Sequence, residues 1–375
     1  MKRILIEMDI LFLGGSEKQF RNIISALDKM DECEVHVLIE NKSLVGDSQL
    51  VDEFVKENSR VSFHFMNSCA MRFNHSFTLL RYMTKAISLF HLFFWHSFIL
   101  PRLCIDVAMI NNMTGLMMVP SLKRKVGYVV YNERNTGKQV TNRPFKVSLL
   151  RKCDRIIANS KAGADYLGTV IGKKVDVYKN GLLIENMLPA KEDDGVFRIL
   201  LPGRINPIKN QLYVVRALNN IPNANYKLIL AGGVEDAAYE SQIVRYIQLN
   251  HLQEKIELLG FVSDMKAEYQ KADLIILPSL EEGTPNVLLE AYMYGRLTLC
   301  SDIIQNVDCT VEKKSLFPLD DEKKLTDILT AVISNCYFED AESVIEKNAE
   351  FVKKNYSMDN MTTAYRNLFM DGEIK

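Results

Sequence analysis

The sequence predicts an α/β protein built from two doubly wound parallel sheets. The chain has 375 residues, which exceeds the roughly 100 to 200 residues of one domain and favours two cores. Short apolar runs alternate with helix-length segments, a pattern typical of βαβ units in which helices cover both faces of a parallel sheet. A polar stretch at residues 187–196 interrupts this alternation and predicts a linker between two similar halves.

The first half, residues 1–185, is predicted to carry one sheet. Glu7 and Asp9 interrupt the opening apolar run, which we therefore expect to be a buried strand and not a signal peptide. Later apolar runs have the length of strands, and helix-length segments separate them. The predicted strands cover residues 4–8, 34–38, 61–65, 105–110, 126–130, 155–158 and 175–178.

The second half, residues 186–356, is predicted to carry a second parallel sheet. Its strands are expected at residues 197–201, 227–231, 256–258, 274–277 and 297–300. Helical segments follow near residues 323–334, 341–353 and 359–370, and we expect the C-terminal segment 357–375 to pack back on the first domain. The linker region 180–196 is the expected hinge.

Composition excludes several classes of protein. Lysine and arginine number 46 against 47 acidic residues, so the chain lacks the excess positive charge typical of nucleic-acid-binding proteins, and no nucleic-acid partner is expected. The seven cysteines form no CxxC pair and the six histidines have no metal-ligand spacing, so we expect neither a disulfide framework nor a metal site. A cytoplasmic location is expected. No stretch has the roughly 18 consecutive apolar residues of a spanning helix.

The strongest motif follows the apolar run at residues 274–277 and reads Glu282-Gly283-Thr284-Pro285 before a predicted helix that contains Glu290. Proline suits the first turn of a helix, and the amides after it point beyond the carboxyl end of the strand, where an anion is favoured. Carboxylates such as those of Glu282 and Glu290 accept hydrogen bonds from sugar hydroxyls. The structural alternative is a capped helix with ordinary surface glutamates.

A second motif follows the first strand of the second half. Gly203 permits a close turn of the backbone, and Arg204 and Lys209 bring two positive charges near the start of the next helix. Cations are disfavoured at that end of a helix unless an anion meets them, so this pattern favours an anion site over surface charges. Between the first strand and first helix, Gly14-Gly15 permits a close approach to a ligand. A plain tight turn is the alternative interpretation there.

The segment E-G-x-P-x-x-x-x-E from Glu282 to Glu290 resembles the signature of the family-4 retaining glycosyltransferases. The segment from Gly203 to Asn210 is similar to the family's GR-x(4)-KN motif, and Gly14-Gly15 to its GG-x-E loop. The resemblance implies the GT-B fold, in which two Rossmann-like domains face each other across an interdomain cleft. It is strongest from residue 197 to residue 301 and weak between about residues 42 and 124.

The resemblance also implies roles for single residues. Glu290 would hold the ribose hydroxyls of the nucleotide, Glu282 the donor sugar, and Arg204 with Lys209 the leaving diphosphate. The diphosphate would also meet backbone amides of the segment, and the Gly14-Gly15 loop would contact the sugar phosphate or the acceptor. The amides are those of Gly283, Asn286, Val287 and Leu288. The implied reaction needs no cofactor and no metal, since the nucleotide sugar is the donor substrate.

One position departs from the family pattern. Many relatives place a histidine that faces the reacting sugar where this chain has Arg134, and an arginine cannot act as a base at neutral pH. The neighbouring Glu133 would then contact the acceptor and is a candidate catalytic residue beside Glu282, Arg204 and Lys209. The alternative is that Glu133 and Arg134 are ordinary loop charges.

Residues 59–104 contain no Asp or Glu, although Arg60, Arg72, Arg81, Lys85 and Arg102 are present beside a strongly aromatic run. Two interpretations stay open. The segment is either a buried crossover helix of the first sheet or an interfacial helix on an anionic membrane with Trp95 at headgroup depth. In the second case, residues 72–102 make a peripheral contact with the cytoplasmic face of the inner membrane.

The resemblance implies a retaining, metal-independent transfer of a hexose-type sugar from a UDP- or GDP-sugar to a growing glycan or lipid-linked acceptor, in cell-surface polysaccharide biosynthesis. Two alternatives remain. One is a sugar-nucleotide epimerase of the same fold, which would need acid and base groups around the sugar ring. The other is a catalytically inactive glycosyltransferase-like binding partner, for which the departure at Arg134 is the main support.

Overall fold

The computed structural model describes residues 1–11, 14–40, 48–66, 78–189 and 194–370. The chain divides into two compact units. Unit 1 comprises Met1–Gly181 and Met358–Lys375, and unit 2 comprises Leu182–Ser357. Each unit is built around its own parallel sheet, with apolar clusters on both faces.

The sheet of unit 1 has seven strands, all paired in parallel, in the order β3-β2-β1-β4-β5-β6-β7. Its strands are β1 (Lys2–Met8), β2 (Cys33–Ile39), β3 (Ser62–Phe65), β4 (Val107–Ile110), β5 (Tyr128–Glu133), β6 (Arg155–Ala158) and β7 (Asp176–Val177). All seven predicted strands are present. β5 ends three residues later than expected, so Glu133 is a strand residue and not a loop residue.

In the part of unit 1 that the structure describes, the helices between these strands are α1 (Gly15–Asp28), α2 (Ser48–Glu57), α3 (Thr78–Phe98), α4 (Leu100–Leu103), α5 (Met113–Leu122), α6 (Lys138–Thr141), α7 (Pro144–Leu150) and α8 (Lys161–Ile171). Asn112 caps α5 by accepting from the Gly115 amide at 2.6 Å, and Ser160 caps α8 in the same way. α3 lies in the crossover from β3 to β4, as the first interpretation expects, but it buries only one face and leaves the other exposed. Its Trp95 is only 6% exposed, so the expectation of Trp95 at headgroup depth is wrong.

The sheet of unit 2 has six parallel strands in the order β10-β9-β8-β11-β12-β13. The strands are β8 (Phe197–Pro202), β9 (Tyr226–Ala231), β10 (Ile256–Gly260), β11 (Leu274–Leu277), β12 (Leu297–Ser301) and β13 (Leu316–Phe317). The sequence predicted five of them. β13 was missed because two residues after a single 3₁₀ turn give no periodic signal.

The helices of unit 2 are α9 (Gln211–Asn219), α10 (Ala237–Leu249), α11 (Met265–Lys271), α12 (Asn286–Met293), α13 (Ile304–Val307), α14 (Glu322–Ile333) and α15 (Ala341–Asn355). The last helix, α16 (Met358–Met370), belongs to unit 1, where it packs on α1 and buries Tyr365 and Phe369. Residues 371–375 of the C-terminal segment lie outside the described residues.

The chain leaves unit 1 between Gly181 and Leu182, four residues before the boundary placed after residue 185. Gly181 is held in unit 1, where its amide donates to Gln19 Oε1 and its carbonyl accepts from Asn22 Nδ2, both at 2.9 Å. Leu182 is buried in unit 2, and its amide donates to the Tyr356 carbonyl at 2.7 Å. The boundary follows this burial, which the polar composition of residues 187–196 did not reveal.

Candidate active site

The two strongest motifs follow neighbouring strands of unit 2. β8 lies beside β11 in the middle of the sheet, and β9 lies on its other side. The connection after β8 therefore leads to one flank of the sheet, and the connection after β11 leads to the other. Such a switch point opens a crevice outside the carboxyl ends of the strands, where ligands bind in open α/β sheets. The loops at residues 203–210 and 278–285 both begin there.

Gly203 turns the chain away from β8 in a conformation that only glycine adopts readily, with φ at 149°. A second glycine, Gly232, which belongs to no motif of the sequence, makes this turn possible. A Cβ atom added to Gly232, just after β9, would lie 2.1 Å from the Gly203 carbonyl oxygen and 2.9 Å from the Arg204 nitrogen. Two backbone segments therefore touch beside Arg204.

Arg204 is oriented by an acidic residue, Glu235, for which the sequence gives no local signal. Its Nη1 donates to Glu235 Oε1 at 2.9 Å, and Asn206 Nδ2 donates to the other oxygen of that carboxylate at 2.5 Å. The Arg204 and Glu235 side chains are 51% and 46% exposed, so the pair contributes little to stability. An anion of higher charge, such as a diphosphate, can displace this carboxylate at small cost.

Lys209 and Glu282, predicted from separate motifs, are in direct contact. Lys209 Nζ donates to Glu282 Oε1 at 2.6 Å, and Ser279 Oγ donates to the same oxygen at 2.7 Å. The backbone joins the two loops as well, because the Leu280 amide donates to the Ile208 carbonyl at 2.8 Å. The side chains of Lys209 and Glu282 are 23% and 12% exposed, so one carboxylate and one ammonium lie partly shielded at the switch point.

A buried polar chain supports Ser279. Ser301 Oγ donates to the Ser279 carbonyl at 2.6 Å, and Asn306 Nδ2 donates to both the hydroxyl and the carbonyl of Ser301 at 3.0 Å. All three residues are buried. Asn306 fixes Ser301 by these hydrogen bonds, and Ser301 in turn fixes the backbone at Ser279. The loop that carries Glu282 is therefore held in one conformation.

α12 begins after Pro285, which occupies the N-cap position without a side-chain hydrogen bond. Of the amides predicted to meet a diphosphate, that of Asn286 donates to the Thr284 carbonyl at 2.8 Å, and that of Leu288 donates to the Pro285 carbonyl at 3.0 Å. Gly283 lies in the loop before them, and Val287 is the second residue of the helix. The two amides already have acceptors, so a role in anion binding would require the first turn to rearrange.

Glu290, on α12, contacts a different group from those around Glu282. It accepts a hydrogen bond from the phenol of Tyr269 at 3.3 Å. Tyr269 lies on α11 and is 1% exposed, and burial with the nearby Glu290 charge raises the pKa of this phenol well above its usual value. Tyr269 therefore stays a hydrogen-bond donor at neutral pH and orients the Glu290 carboxylate. Sequence spacing gave no signal for it.

Gly14, Gly15 and Glu133 belong to unit 1. Gly14 precedes α1 with φ at −165°, an extended conformation open to any residue, and a Cβ there would meet only Glu17 Oε2 at an ordinary 3.4 Å. Gly15 is the first residue of α1. The conformation at Gly14 therefore does not itself require glycine, and the contact of this doublet with a ligand stays a prediction.

Glu133 and Arg134 are buried, so the alternative that they are ordinary loop charges is wrong. Glu133 accepts from the Asn135 amide at 2.8 Å, and burial raises the pKa of its carboxyl. Arg134 donates to Asn180 Oδ1, and its guanidinium lies 5.8 Å from the centre of the Phe20 ring. Arg134 thus connects β5 to α1 and to Asn180, which precedes the last residue of this part of unit 1, Gly181.

A cluster of acidic residues lies at the carboxyl ends of β1 and β2. Asn112 Nδ2 donates to Asp9 Oδ1 at 2.8 Å and to Glu40 Oε1 at 2.6 Å, so two carboxyls share one amide. Burial raises the pKa of Asp9 to about 6, and burial with the Asp9 charge raises that of Glu40 well above its usual value. At neutral pH this part of unit 1 therefore holds ionised or proton-sharing acids at a cost in stability.

Asp9→Asn is expected to stabilise the protein increasingly as the pH rises. Because the folded-state pKa of Asp9 is raised, its contribution to stability is full below its unfolded value of 3.8 and is lost as the pH passes about 6. The difference in unfolding free energy between variant and wild type should grow by about 1 to 3 kcal/mol from about pH 4 to about pH 8. Urea unfolding at each pH measures this difference in unfolding free energy. The fluorescence of Trp95, the one tryptophan of the sequence, reports the unfolding of unit 1.

Asp165→Asn, an exposed acid on α8, is the control and should show no such trend. A difference between Asp9→Asn and wild type that stays constant across this pH range would show that Asp9 ionises as readily in the folded state as in the unfolded state.

Among the residues described, no group of three or more histidine, cysteine, aspartate or glutamate side chains is arranged to hold a metal ion. The expectation that the reaction needs no metal stays a prediction. In the same described part of the chain, no helix has the length and apolar character needed to cross a membrane.

Comparison with known families identifies the region that carries both loops of unit 2. Residues 196–335 match the family model described as glycosyl transferases group 1. The matched region lies within unit 2, covers less than half of the chain, and is called the group 1 domain below after the family it resembles. The match includes Arg204, Lys209, Glu282 and Glu290, whereas Gly14 and Gly15, also predicted to contact the sugar phosphate or the acceptor, lie outside it.

Curated bacterial glycosyltransferases are similar to parts of the chain. The N-acetylgalactosamine-N,N'-diacetylbacillosaminyl-diphospho-undecaprenol 4-alpha-N-acetylgalactosaminyltransferase of Campylobacter jejuni is 27% identical over 201 residues, which cover 52% of this chain and 53% of that protein. The UDP-Gal:alpha-D-GlcNAc-diphosphoundecaprenol alpha-1,3-galactosyltransferase of Escherichia coli is 30% identical over 154 residues, 39% of this chain and 38% of its own length. The chain thus spans about half or less of these relatives, which support a glycosyltransferase.

Solved structures resemble the chain over nearly its whole length. Anabaena HepE in complex with UDP and glucose has a TM-score of 0.76 at 16% identity, covering 98% of this chain and 99% of that one. A glycosyltransferase from Rickettsia africae has a TM-score of 0.73 at 17% identity, with 99% and 98% covered. At such identity the likeness establishes the fold, and the predicted GT-B fold is confirmed.

Proposed function

We propose that the protein is a retaining, metal-independent glycosyltransferase of the family-4 type. It transfers a hexose-type sugar from a UDP- or GDP-sugar to a growing glycan or lipid-linked acceptor in cell-surface polysaccharide biosynthesis. The observation that supports this most directly is the contact of Lys209 with Glu282 at the switch point of the group 1 domain, with Arg204 on the same loop as Lys209. A cation for the leaving group and a carboxylate for sugar hydroxyls are held together there.

In the proposed reaction, the bond from the sugar's anomeric carbon to the diphosphate breaks, and a bond from that carbon to the acceptor oxygen forms on the same face. The proton of the acceptor hydroxyl passes to the departing phosphate, so no covalent nucleophile is required. Lys209 and Arg204 stabilise the negative charge that develops on the diphosphate. In other enzymes, removing one such hydrogen-bond donor lowers kcat by about 10²- to 10³-fold. Glu282 orients the donor sugar.

Glu290 is proposed to accept hydrogen bonds from the ribose hydroxyls, with Tyr269 fixing its orientation. Glu133, whose pKa is raised by burial, is proposed to meet the acceptor in unit 1. A nucleotide sugar is the only donor required, and no cofactor is assigned. The named relatives act on sugars linked to diphospho-undecaprenol, which supports a lipid-linked acceptor for this chain. A cytoplasmic location with peripheral contact at the membrane through residues 72–102 completes the proposal.

Thermal stabilisation by UDP-, GDP-, ADP- and dTDP-sugars, with and without a chelator, tests donor binding. One nucleotide class should raise the melting temperature, because a ligand at about 100 times its Kd adds roughly 2.7 kcal/mol of stability. Glu290→Ala should bind that donor about 10- to 100-fold more weakly, since two hydroxyl bonds to a carboxylate are lost. Glu346→Ala, an exposed glutamate on α15, should bind it normally.

The stereochemistry needs a second measurement. The anomeric configuration of the product, read from its proton NMR coupling, should equal that of the donor sugar. Inversion would contradict the retaining mechanism, and a shift that appears only with added divalent metal would contradict metal independence. Donor binding without any transfer would favour an inactive binding partner, and release of an isomerised sugar nucleotide would favour an epimerase.

A further inference from the structure

One face of α3 exposes a continuous row of large apolar side chains. Its members, hereafter the α3 stripe, are spaced three or four residues apart and so share one side of the helix. They are between 43% and 66% exposed, and the rings of the last two lie 4.6 Å apart between centroids. The α3 stripe consists of Met83, Ile87, Phe90, Phe94 and Phe98.

The opposite side of α3 is fixed to the sheet of unit 1. Leu92 and His96 are fully buried, and His96 Nε2 lies 3.0 Å from Glu7 Oε2 in a pair with no solvent exposure. Trp95 packs edge-on against His64 of β3. The helix is therefore held by one face while the α3 stripe points away from the core of its own unit. An isolated exposed phenylalanine is ordinary, but a row of them on a fixed helix indicates a binding surface.

The charge around the α3 stripe selects its partner. The 46 residues from Ser59 to Cys104 include no acidic residue, whereas they include five arginines and lysines. At the C-terminal end of α3, Arg102 and Arg124 are exposed, and Lys125 Nζ donates to the His96 carbonyl at 2.5 Å. Two copies of such a surface would repel each other, while an anionic lipid surface attracts it and accepts its aromatic rings.

We propose that the α3 stripe docks unit 1 on an anionic lipid bilayer. The phenylalanines insert at the level of the headgroups and upper acyl chains, and the cations near Arg102 contact lipid phosphates. No described helix is long and apolar enough to span the bilayer, so the contact is interfacial. The inference deepens the proposed function by specifying how a lipid-linked acceptor is reached, and it rests on that function only for the acceptor.

Flotation with phospholipid vesicles tests the proposal on the full chain. Wild type should bind vesicles of phosphatidylcholine mixed with phosphatidylglycerol, and bind pure phosphatidylcholine far more weakly. The single variants Phe90→Ser and Phe94→Ser should each bind these vesicles roughly tenfold more weakly. This is the effect expected when one phenylalanine side chain no longer inserts into the lipid. Leu249→Ser removes an equally exposed apolar side chain from α10 of unit 2 and should change nothing. Raised salt should weaken binding, as expected for contacts with lipid phosphates.

Tryptophan fluorescence distinguishes which face of α3 meets the lipid. Acyl chains carrying bromine should quench a tryptophan introduced by Phe94→Trp, and should leave the native Trp95 unquenched because it lies inside unit 1. Quenching of Trp95 in the wild-type protein would overturn the geometry proposed here. Circular dichroism and the melting temperature of each variant establish that it is folded.

Two results would refute the lipid partner. One is wild-type protein that fails to float with anionic vesicles. The other is a dimer in solution that Phe90→Ser with Phe94→Ser dissociates, which would assign the stripe to a second copy of the chain. Thermal stabilisation by the donor should be the same in wild type and in this double variant, so a failure of lipid binding is separable from a failure of the proposed function.

Discussion

Replacing Gly232 with alanine is expected to destabilise unit 2 by about 3 kcal/mol, an effect at the upper end of the range for overpacked sites. The new Cβ would lie 2.1 Å from the Gly203 oxygen and 2.4 Å from its carbonyl carbon. Both atoms belong to the backbone, so no side chain can rotate away, and the loop that carries Arg204 must move. Donor affinity should fall together with stability, because the same displacement shifts a proposed diphosphate contact.

Gly233→Ala is the matched control for this prediction. The next residue along the chain has room for a methyl group, since its nearest contact would be Phe261 Cβ at 3.9 Å. Alanine there should be neutral or stabilising by a few tenths of a kcal/mol, because it restricts the unfolded chain. Calorimetry of both variants checks the difference. Equal melting temperatures for Gly232→Ala and Gly233→Ala would mean that the close contact between the loops after β8 and β9 does not affect stability.

The strands could be predicted because buried parallel strands leave a short apolar run in the sequence. All seven strands of unit 1 and five of the six in unit 2 were found in this way. β13 was not, because two residues form it and its identity comes only from pairing with Cys300 and Ser301 of β12. The exit from unit 1 at Gly181 was also missed, since hydrogen bonds to Gln19 and Asn22, which composition does not reveal, hold that residue.

The candidate site was predictable in its motifs and not in its partners. Lys209 and Glu282 were each found from local spacing, but their contact depends on the parallel pairing of β8 with β11 across 73 residues of sequence. Glu235 and Tyr269 lie in other loops and helices, so no local pattern connects them to the residues they orient. For the helix that contains Phe90, composition allows either a buried crossover helix or an interfacial membrane helix. Only the exposure of its side chains in the structure shows which face is buried and which is exposed.

Lys209→Met is expected to lower the rate of sugar transfer by about 10² to 10³ while leaving the fold intact, because it removes a charge that is proposed to meet the leaving diphosphate. A merely structural ion pair would give a different result. In that case the loss would come from the Glu282 carboxylate left without its cation, and removing that charge too would restore activity. The double variant Lys209→Met with Glu282→Gln separates these explanations through a thermodynamic cycle.

Stability and activity should respond differently in this cycle. For the unfolding free energy, the double variant should recover most of what each single variant loses, because the partly shielded pair at 2.6 Å disappears as a unit. For kcat, no recovery is expected, since neither methionine nor glutamine carries charge to the diphosphate or to a sugar hydroxyl. Exchange of the two charges, Lys209→Glu with Glu282→Lys, rebuilds an ion pair and should also be inactive. Transfer by the exchanged protein at a near wild-type rate would assign the pair to folding and leave Arg204 as the cation that acts on the leaving group.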